Sequence, residues 1–240
     1  MRRSPPSHEL RPQFLLEGTV YALEQGGLLL HDSVLLYRTE HYASAAALAL
    51  FAIEEIGRSR LLHHLWKEAV EKGSAFTAQT IQLMCDNHVF KQTQGLGSPV
   101  IHVNKNDKKL YQLFEATLVK HTTHESLKAS AELHAIAKRL QRRLPNQRHD
   151  WRQKSLYVEP DESGTNWNRP KDLRKKIAFD SLFGANDAYL QEMCRFNRTG
   201  FFKKEDPAYQ SALKAWEECP GLPSALSIEE IEDLHMKIKR

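Results

Sequence analysis

His88 and Lys91, together with Glu54, Glu55 and Arg58, are residues of this sequence whose types suit acid–base chemistry on a charged substrate. A histidine moves protons near neutral pH, and a carboxylate beside it fixes which ring nitrogen carries one. Cations steady the charge that builds on a phosphorane. The set fits metal-independent cleavage of RNA: His88 as proton carrier, a glutamate (Glu54 or Glu55) holding it, Arg58 and Lys91 on the phosphate. Asp32 supplies a further carboxylate on a helix face that is otherwise packed. The same side chains also have a structural reading, as an ion-pair network that selects which helices meet. The protein would then be a non-enzymatic binder whose function sits on its surface.

The element that must position these groups is the stretch Ala43 to Leu65, the longest apolar run in the chain. At roughly 100° per residue, Ala47, Leu50, Ile53, Gly57, Leu61, Leu62 and Leu65 share one broad arc of a helix. Glu54 and Arg58 fall near the centre of that arc. A charge aimed into a core is costly unless paired. Arg58 lies four residues after Glu54 and three after Glu55, so pairing is within reach. The run is expected to be the central helix of a bundle with a polar seam.

Other helices must supply the rest. Phe14 to Tyr37 is expected as a first helix with the stripe Gly18, Ala22, Gln25, Leu29, Asp32 and Leu36. The short connection 38–41 then forces an antiparallel hairpin with the central helix. After a break at Gly73 and Ser74, one helix is expected from Thr77 to Gln92, with His88 inside its apolar arc and Lys91 at its edge. Gly95 to Asn106 is expected as a loop. A long helix follows from Asp107, ending near Pro145, its end rich in arginine and lysine. That end is either a solvated terminus or, with Trp151 among the charges, a nucleic-acid surface. Ser155 to Arg169 is expected as a loop anchored by Tyr157, Val158 and Trp167. Pro170 can open a helix to Phe196, with the stripe Ile177, Asp180 or Ser181, Gly184, Asp187 or Ala188, and Gln191. Short helices near 207–217 and 227–239 end the chain, the last opened by a Ser227–Glu230 capping box. The expected organisation is a flexible arm (1–12), a helical domain (13–197) and a helical tail (198–240), all-α throughout.

Composition and spacing exclude several classes. The 240 residues carry a formal charge of +4, which permits contact with nucleic acid without requiring it. Cys85, Cys194 and Cys219 have no metal spacing and suit a reducing cytoplasm. The basic N-terminus lacks the apolar segment of a signal peptide, and the central run is too soon interrupted by charge to span a membrane. Only Glu232 and His235 have the Glu-x-x-His spacing of a di-iron bundle, and His121, His124 and Glu125 do not match the zinc spacing of His at i and i+4. There is no phosphate-binding glycine loop and no nucleophile elbow. No metal and no cofactor are expected.

In order and spacing, Gly18, Ala22 and Asp32, then the segment Ala47 to Arg58, then Asp86-Asn-His-Val-Phe-Lys91, resemble the AbiV-type abortive infection proteins. These are phage-defence members of the HEPN superfamily of helical domains. The family's Glu-Glu-x-Gly-Lys pattern matches at Glu54, Glu55 and Gly57, with Arg58 in place of lysine. Its Asp-His-x-x-Lys pattern matches at His88 and Lys91, with Asn87 inserted after Asp86. Tyr157-Val-Glu and Trp167 to Pro170 are also similar, and the likeness runs from Phe14 to Asn197. The resemblance implies an all-α HEPN-like bundle, a homodimer and a place in the bacterial cytoplasm. It further implies shutdown of host translation on infection, RNA as a candidate target and a phage protein as a candidate activator. Ribonucleases of the wider superfamily place Arg and His across a dimer cleft, and this sequence departs from that. Arg58 and His63 lie about 140° apart on one helix. Arg143 (or Arg142) and His149 straddle Pro145, where a helix end would let both reach a groove.

Overall fold

The structure is a computed structural model, and residues 9–95, 124–160, 163–197 and 224–236 are described here. Pro12 opens α1 (Pro12–Arg38), since its missing N–H and fixed φ suit the first helical position. Just before it, the Leu10 N–H donates to the Phe76 carbonyl at 2.8 Å and ties residues 9–11 to the strand-like approach to α3. The rest of the expected N-terminal arm lies outside the described residues. After the turn 39–41, α2 (Tyr42–Lys72) runs back antiparallel and stops at Gly73, whose left-handed φ of 67° carries no penalty for glycine. Ser33 Oγ donates to the Ala45 carbonyl across the top of this hairpin, while Gly18 lies against Leu62 at the other end.

The observed stripe of α1 is offset from the expected one. Thr19, Val20, Leu23, Gly26, Gly27, Leu30, Ser33, Val34 and Tyr37 are buried, whereas Gln25 and Asp32 face solvent. The close contact expected at Gly18 and Ala22 is present, Gly18 against Leu62 and Ala22 buried, and Gly26 extends it against Ala52 and Ile56 while Gly27 lies against Tyr189; the stripe as a whole is turned about one residue further round. For α2, every member of the predicted arc is buried, and so is most of the helix between Ala45 and Trp66. It is the central helix, touching α1 on one side and the later helices on the others.

The predicted helix 77–92 is two helices. Thr77 caps α3 (Ala78–Asp86), its Oγ1 accepting from the Thr80 N–H, and the chain turns extended at Asn87 before α4 (His88–Gly95). Asparagine favours such a boundary because its side chain competes for backbone bonds. The expected loop 95–106 falls outside the described residues from 96 onward, as do 107–123 of the predicted long helix and all of the predicted helix 207–217.

The described part of that long helix, α5 (His124–Leu156), does not end at Pro145 but runs through it. The proline is buried within the bundle, so packing outweighs the lost backbone bond. A two-residue antiparallel ladder, β1 (Glu159–Pro160) with β2 (Trp167–Asn168), follows. Tyr157, Val158 and Trp167 do not anchor the loop: all three are exposed. Pro170 opens a 3₁₀ turn (Pro170–Asp172), and α6 (Lys175–Asn197) starts three residues later. On α6, Ser181 and Ala188 are buried and Asp180 and Asp187 are not, with Ala178, Leu182, Ala185, Tyr189 and Glu192 completing the inner face. Finally α7 (Ile228–Met236) begins with the predicted capping box: Ser227 and Glu230 exchange backbone-to-side-chain bonds of 3.0 and 3.2 Å. Leu234 is fully buried, so this tail helix is part of the main core. Among the described residues the fold is all-α apart from the small ladder.

Two apolar clusters result among the described residues. The larger joins the C-terminal half of α1, the N-terminal half of α2, α6 and Leu234, and reaches Ile56 on α2. The smaller joins the start of α1, the later part of α2 from Leu61 onward, and Cys85 of α3. Glu54, Glu55, Arg58 and Arg60 lie on α2 where one cluster gives way to the other.

Candidate functional site

Glu54 is the hub of the polar seam. Its side chain is only 2% exposed, and three residues of α4 meet it. His88 Nδ1–H donates to Oε2 at 2.6 Å, Gln92 Nε2 donates to Oε1 at 3.0 Å, and Lys91 Nζ stands 3.6 Å from Oε2. Residues 88, 91 and 92 have the i, i+3, i+4 spacing that puts three side chains on one helix face. From α5, Arg152 brings its Nε to 3.8 Å from Oε1 and lays its guanidinium over the Phe51 ring. Three helices therefore converge on one carboxylate, and Lys91, Gln92 and Arg152 are buried with it. His88 is the member with access, its side chain 40% exposed.

Arg58 does not pair with Glu54. It bonds Glu55 at 3.0 Å at the rim, where its side chain is 37% exposed. Burial pushes the Glu55 carboxyl above the usual carboxylate range, against the opposing pull of Arg58 and Lys91. Asp32 is not in the seam at all. It lies on the exposed face of α1, at the level of the Ser33–Ala45 contact, about two and a half turns along α2 from Glu54. Lys91 is enclosed beside Glu54, so it neutralises that carboxylate and does not present an open phosphate site.

Sequence reasoning missed a second staple beside the first. Arg60, on α2, donates Nε–H to Glu192 of α6 at 2.7 Å and two Nη1 bonds to the carbonyls of Gln94 and Gly95. It thus satisfies carbonyls that the end of α4 leaves unpaired. Arg60 is six residues from Glu54, which gave the sequence no reason to link them. Gln92 could have been found, being four residues after His88. Arg152 could not, because only the fold brings α5 to α2. Two glycines let α4 lie this close: a Cβ on Gly57 would strike the Lys91 carbonyl oxygen, and one on Gly95 would strike the Ile53 carbonyl oxygen.

Among the described residues, the basic run of α5 divides between exposed and inward-facing side chains. Arg139 and Arg143 are exposed, Lys154 pairs with Asp150, Trp151 packs against the larger core, and Arg148 and Arg152 turn inward. Arg143 and His149 lie on one unbroken helix about 120° apart, so no helix end directs both into a groove; the alternative pairing of Arg142 with His149 involves a side chain outside the described residues. Arg148 lies over Gly184 of α6, with its Nη1 enclosed and lacking a hydrogen-bond partner. Desolvation by burial pushes its guanidinium down to about 10, with Asp187 opposing. A buried cation with one nitrogen left without an acceptor, and with only partial compensation from Asp187, costs stability at every pH below that value, where it stays charged. Arg148→Met is therefore expected to raise stability by about 1–3 kcal/mol in denaturant titration. A loss of stability would mean that the guanidinium is better served than its geometry indicates. Among the described residues, no three His, Cys, Asp or Glu side chains are grouped to hold a metal ion.

The family model described as AbiV, of the HEPN class, matches residues 14–191. The chain belongs to the AbiV family. The matched span contains Glu54, Glu55, Arg58, His88, Lys91 and Arg152, and all but the last residue of the Arg60–Glu192 staple. It stops short of α7, although Leu234 shares the larger core. No curated protein and no solved structure matches the chain. No helix among the described residues is long and apolar enough to cross a membrane.

Proposed function

We propose that this AbiV-family chain is an abortive-infection effector of the bacterial cytoplasm that halts host translation when a phage infects. In this reading His88 is the proton carrier at an RNA phosphate. The observation that carries it is the contrast within one hydrogen bond: an enclosed Glu54 holds Nδ1 of a histidine that itself reaches solvent. Such a carboxylate orients the ring and leaves Nε2 for chemistry, the arrangement of general acid–base catalysis, which contributes about 10²–10⁴ in rate. Arg58, at the rim, is the cation placed to meet a phosphate. A phage protein is the expected trigger.

Toxicity on induction, measured for His88→Gln and Arg58→Ala in chains with unchanged melting temperature, tests the assignment. His88→Gln is expected to abolish growth arrest and any cleavage of host RNA by purified protein. Full toxicity from both variants would remove RNA cleavage at this site.

A second reading has its own support. Lys91, Gln92 and Arg152 are buried with Glu54, which is the pattern of a scaffold that holds α2, α4 and α5 in register. The protein would then act by binding a phage or host protein, and purified chain would leave host RNA intact.

A further inference from the structure

A cleft of about 450 Å³ opens beside the seam, between the start of α1, the middle of α2 and α3. That volume is ordinary for a small-ligand site. Its floor is apolar: Leu15, Leu62 and Cys85 are buried there. Phe14 makes one wall, and an aromatic ring offers a face on which a flat ring can stack. Gln82 and Asp86, four residues apart on α3, stand together at the mouth. Both are exposed, and among the described residues neither has a hydrogen-bond or ion-pair partner. Arg58 completes the lining. The same arginine bonds Glu55 at the rim of the seam, so the cleft and the Glu54–His88 pair share a wall. Asp86 comes two residues before His88, which keeps their Cα atoms within about 7 Å.

We infer that this cleft takes a guanine base of an RNA strand whose adjoining phosphate lies between Arg58 and His88. The base pocket rests on the proposed chemistry at His88 and adds its specificity. A nucleobase has stacking faces and a hydrogen-bonding edge, which matches an apolar floor with polar groups at the mouth. A carboxylate only accepts, and its two oxygens take two parallel N–H donors. Guanine presents such a pair on its Watson–Crick edge, N1–H beside the N2 amino group. Adenine and cytosine present one amino group beside an acceptor nitrogen, and uracil a single N–H. Asp86 therefore selects guanine, and the Gln82 amide donates to the neighbouring O6. The Arg58 guanidinium, with donors on more than one side, meets the phosphate from the cleft while His88 meets it from the seam.

Fluorescence anisotropy of labelled uridine hexanucleotides tests the cleft in the His88→Gln chain, so that binding is read apart from cleavage. A hexamer carrying one guanine is expected to bind about tenfold more tightly than one carrying a single adenine, the discrimination of a good bidentate contact. Asp86→Ala, at an exposed position, should erase that difference at unchanged melting temperature. Ala78→Phe, which fills the cleft without altering a charge, should weaken binding of both hexamers. Equal binding of the two, or a guanine preference that survives Asp86→Ala, overturns the cleft. Mapping the cuts that the wild-type chain makes in host RNA separates base recognition from chemistry. Cuts beside guanine support both, whereas cuts without base preference keep His88 and overturn the cleft. Guanine-selective binding with no cleavage by the wild-type chain overturns the chemistry at His88 and keeps the cleft as a guanine site.

Discussion

Glu54→Ala is expected to lower the melting temperature by about 10 °C, from a loss of about 3–5 kcal/mol. The carboxylate is enclosed with Lys91 and Arg152, and it accepts from His88 and Gln92. Removing it leaves two buried cations and two donors without their acceptor, and that desolvation cost exceeds the lost bonds themselves. Adding Lys91→Met to Glu54→Ala should recover part of the loss, because it removes one of the stranded charges. Thermal or denaturant unfolding of the single and double variants reads both effects. A Glu54→Ala loss under about 1 kcal/mol would mean that the seam is solvated and that Glu54 is not its hub. Both readings of the function predict this destabilisation, so it tests the architecture and not the chemistry.

Gly57→Ala should destabilise by about 3 kcal/mol, although in an ordinary helix the same change stabilises by about 1 kcal/mol. The sign reverses because the new Cβ would meet the backbone oxygen of Lys91, which no rotamer change can move aside. Gly95 faces the Ile53 carbonyl in the reciprocal way. To make room, α4 must lift from α2. His88, Lys91 and Gln92 then move off Glu54, and the Gln94 and Gly95 carbonyls move off Arg60. Hydrogen exchange should show the α4 amides losing protection before those of α1 and α2. A Gly57→Ala chain of raised stability would contradict the close helix crossing. The variant is also a second probe of His88, because it displaces the histidine without altering it.

Much of the architecture was readable from patterns with a fixed period. The arc of α2 was legible because helical rotation places residues on faces independently of their partners. The α1–α2 hairpin was legible because a three-residue turn leaves no other topology, and the Ser227–Glu230 cap because it closes within four residues. Errors came where local signals competed. Pro145 reads as a stop, yet burial keeps it inside α5. Gly18 and Ala22 do lie at the contact with α2, but a single stripe continued from them places Gln25 and Asp32 inward, whereas both face solvent because the packed face follows Leu23, Gly26 and Leu30. Asn87, the residue that departs from the family pattern, is where the helix 77–92 breaks, and the break turns His88, Lys91 and Gln92 together onto α2.

By itself the sequence determined that an all-α bundle must bury Glu54 among apolar neighbours on its central helix, and that His88 and Lys91 share one face. Both follow from a rotation of roughly 100° per residue, which needs no knowledge of the rest of the chain. Tertiary structure alone decided who pairs with whom. Arg58, four residues away, yields Glu54 to His88 and Gln92, while Arg152 and Glu192 arrive from helices far along the chain. Pairing inside a bundle depends on which helices approach within a few ångströms, and that distance is set by Gly57 and Gly95, where backbone meets backbone.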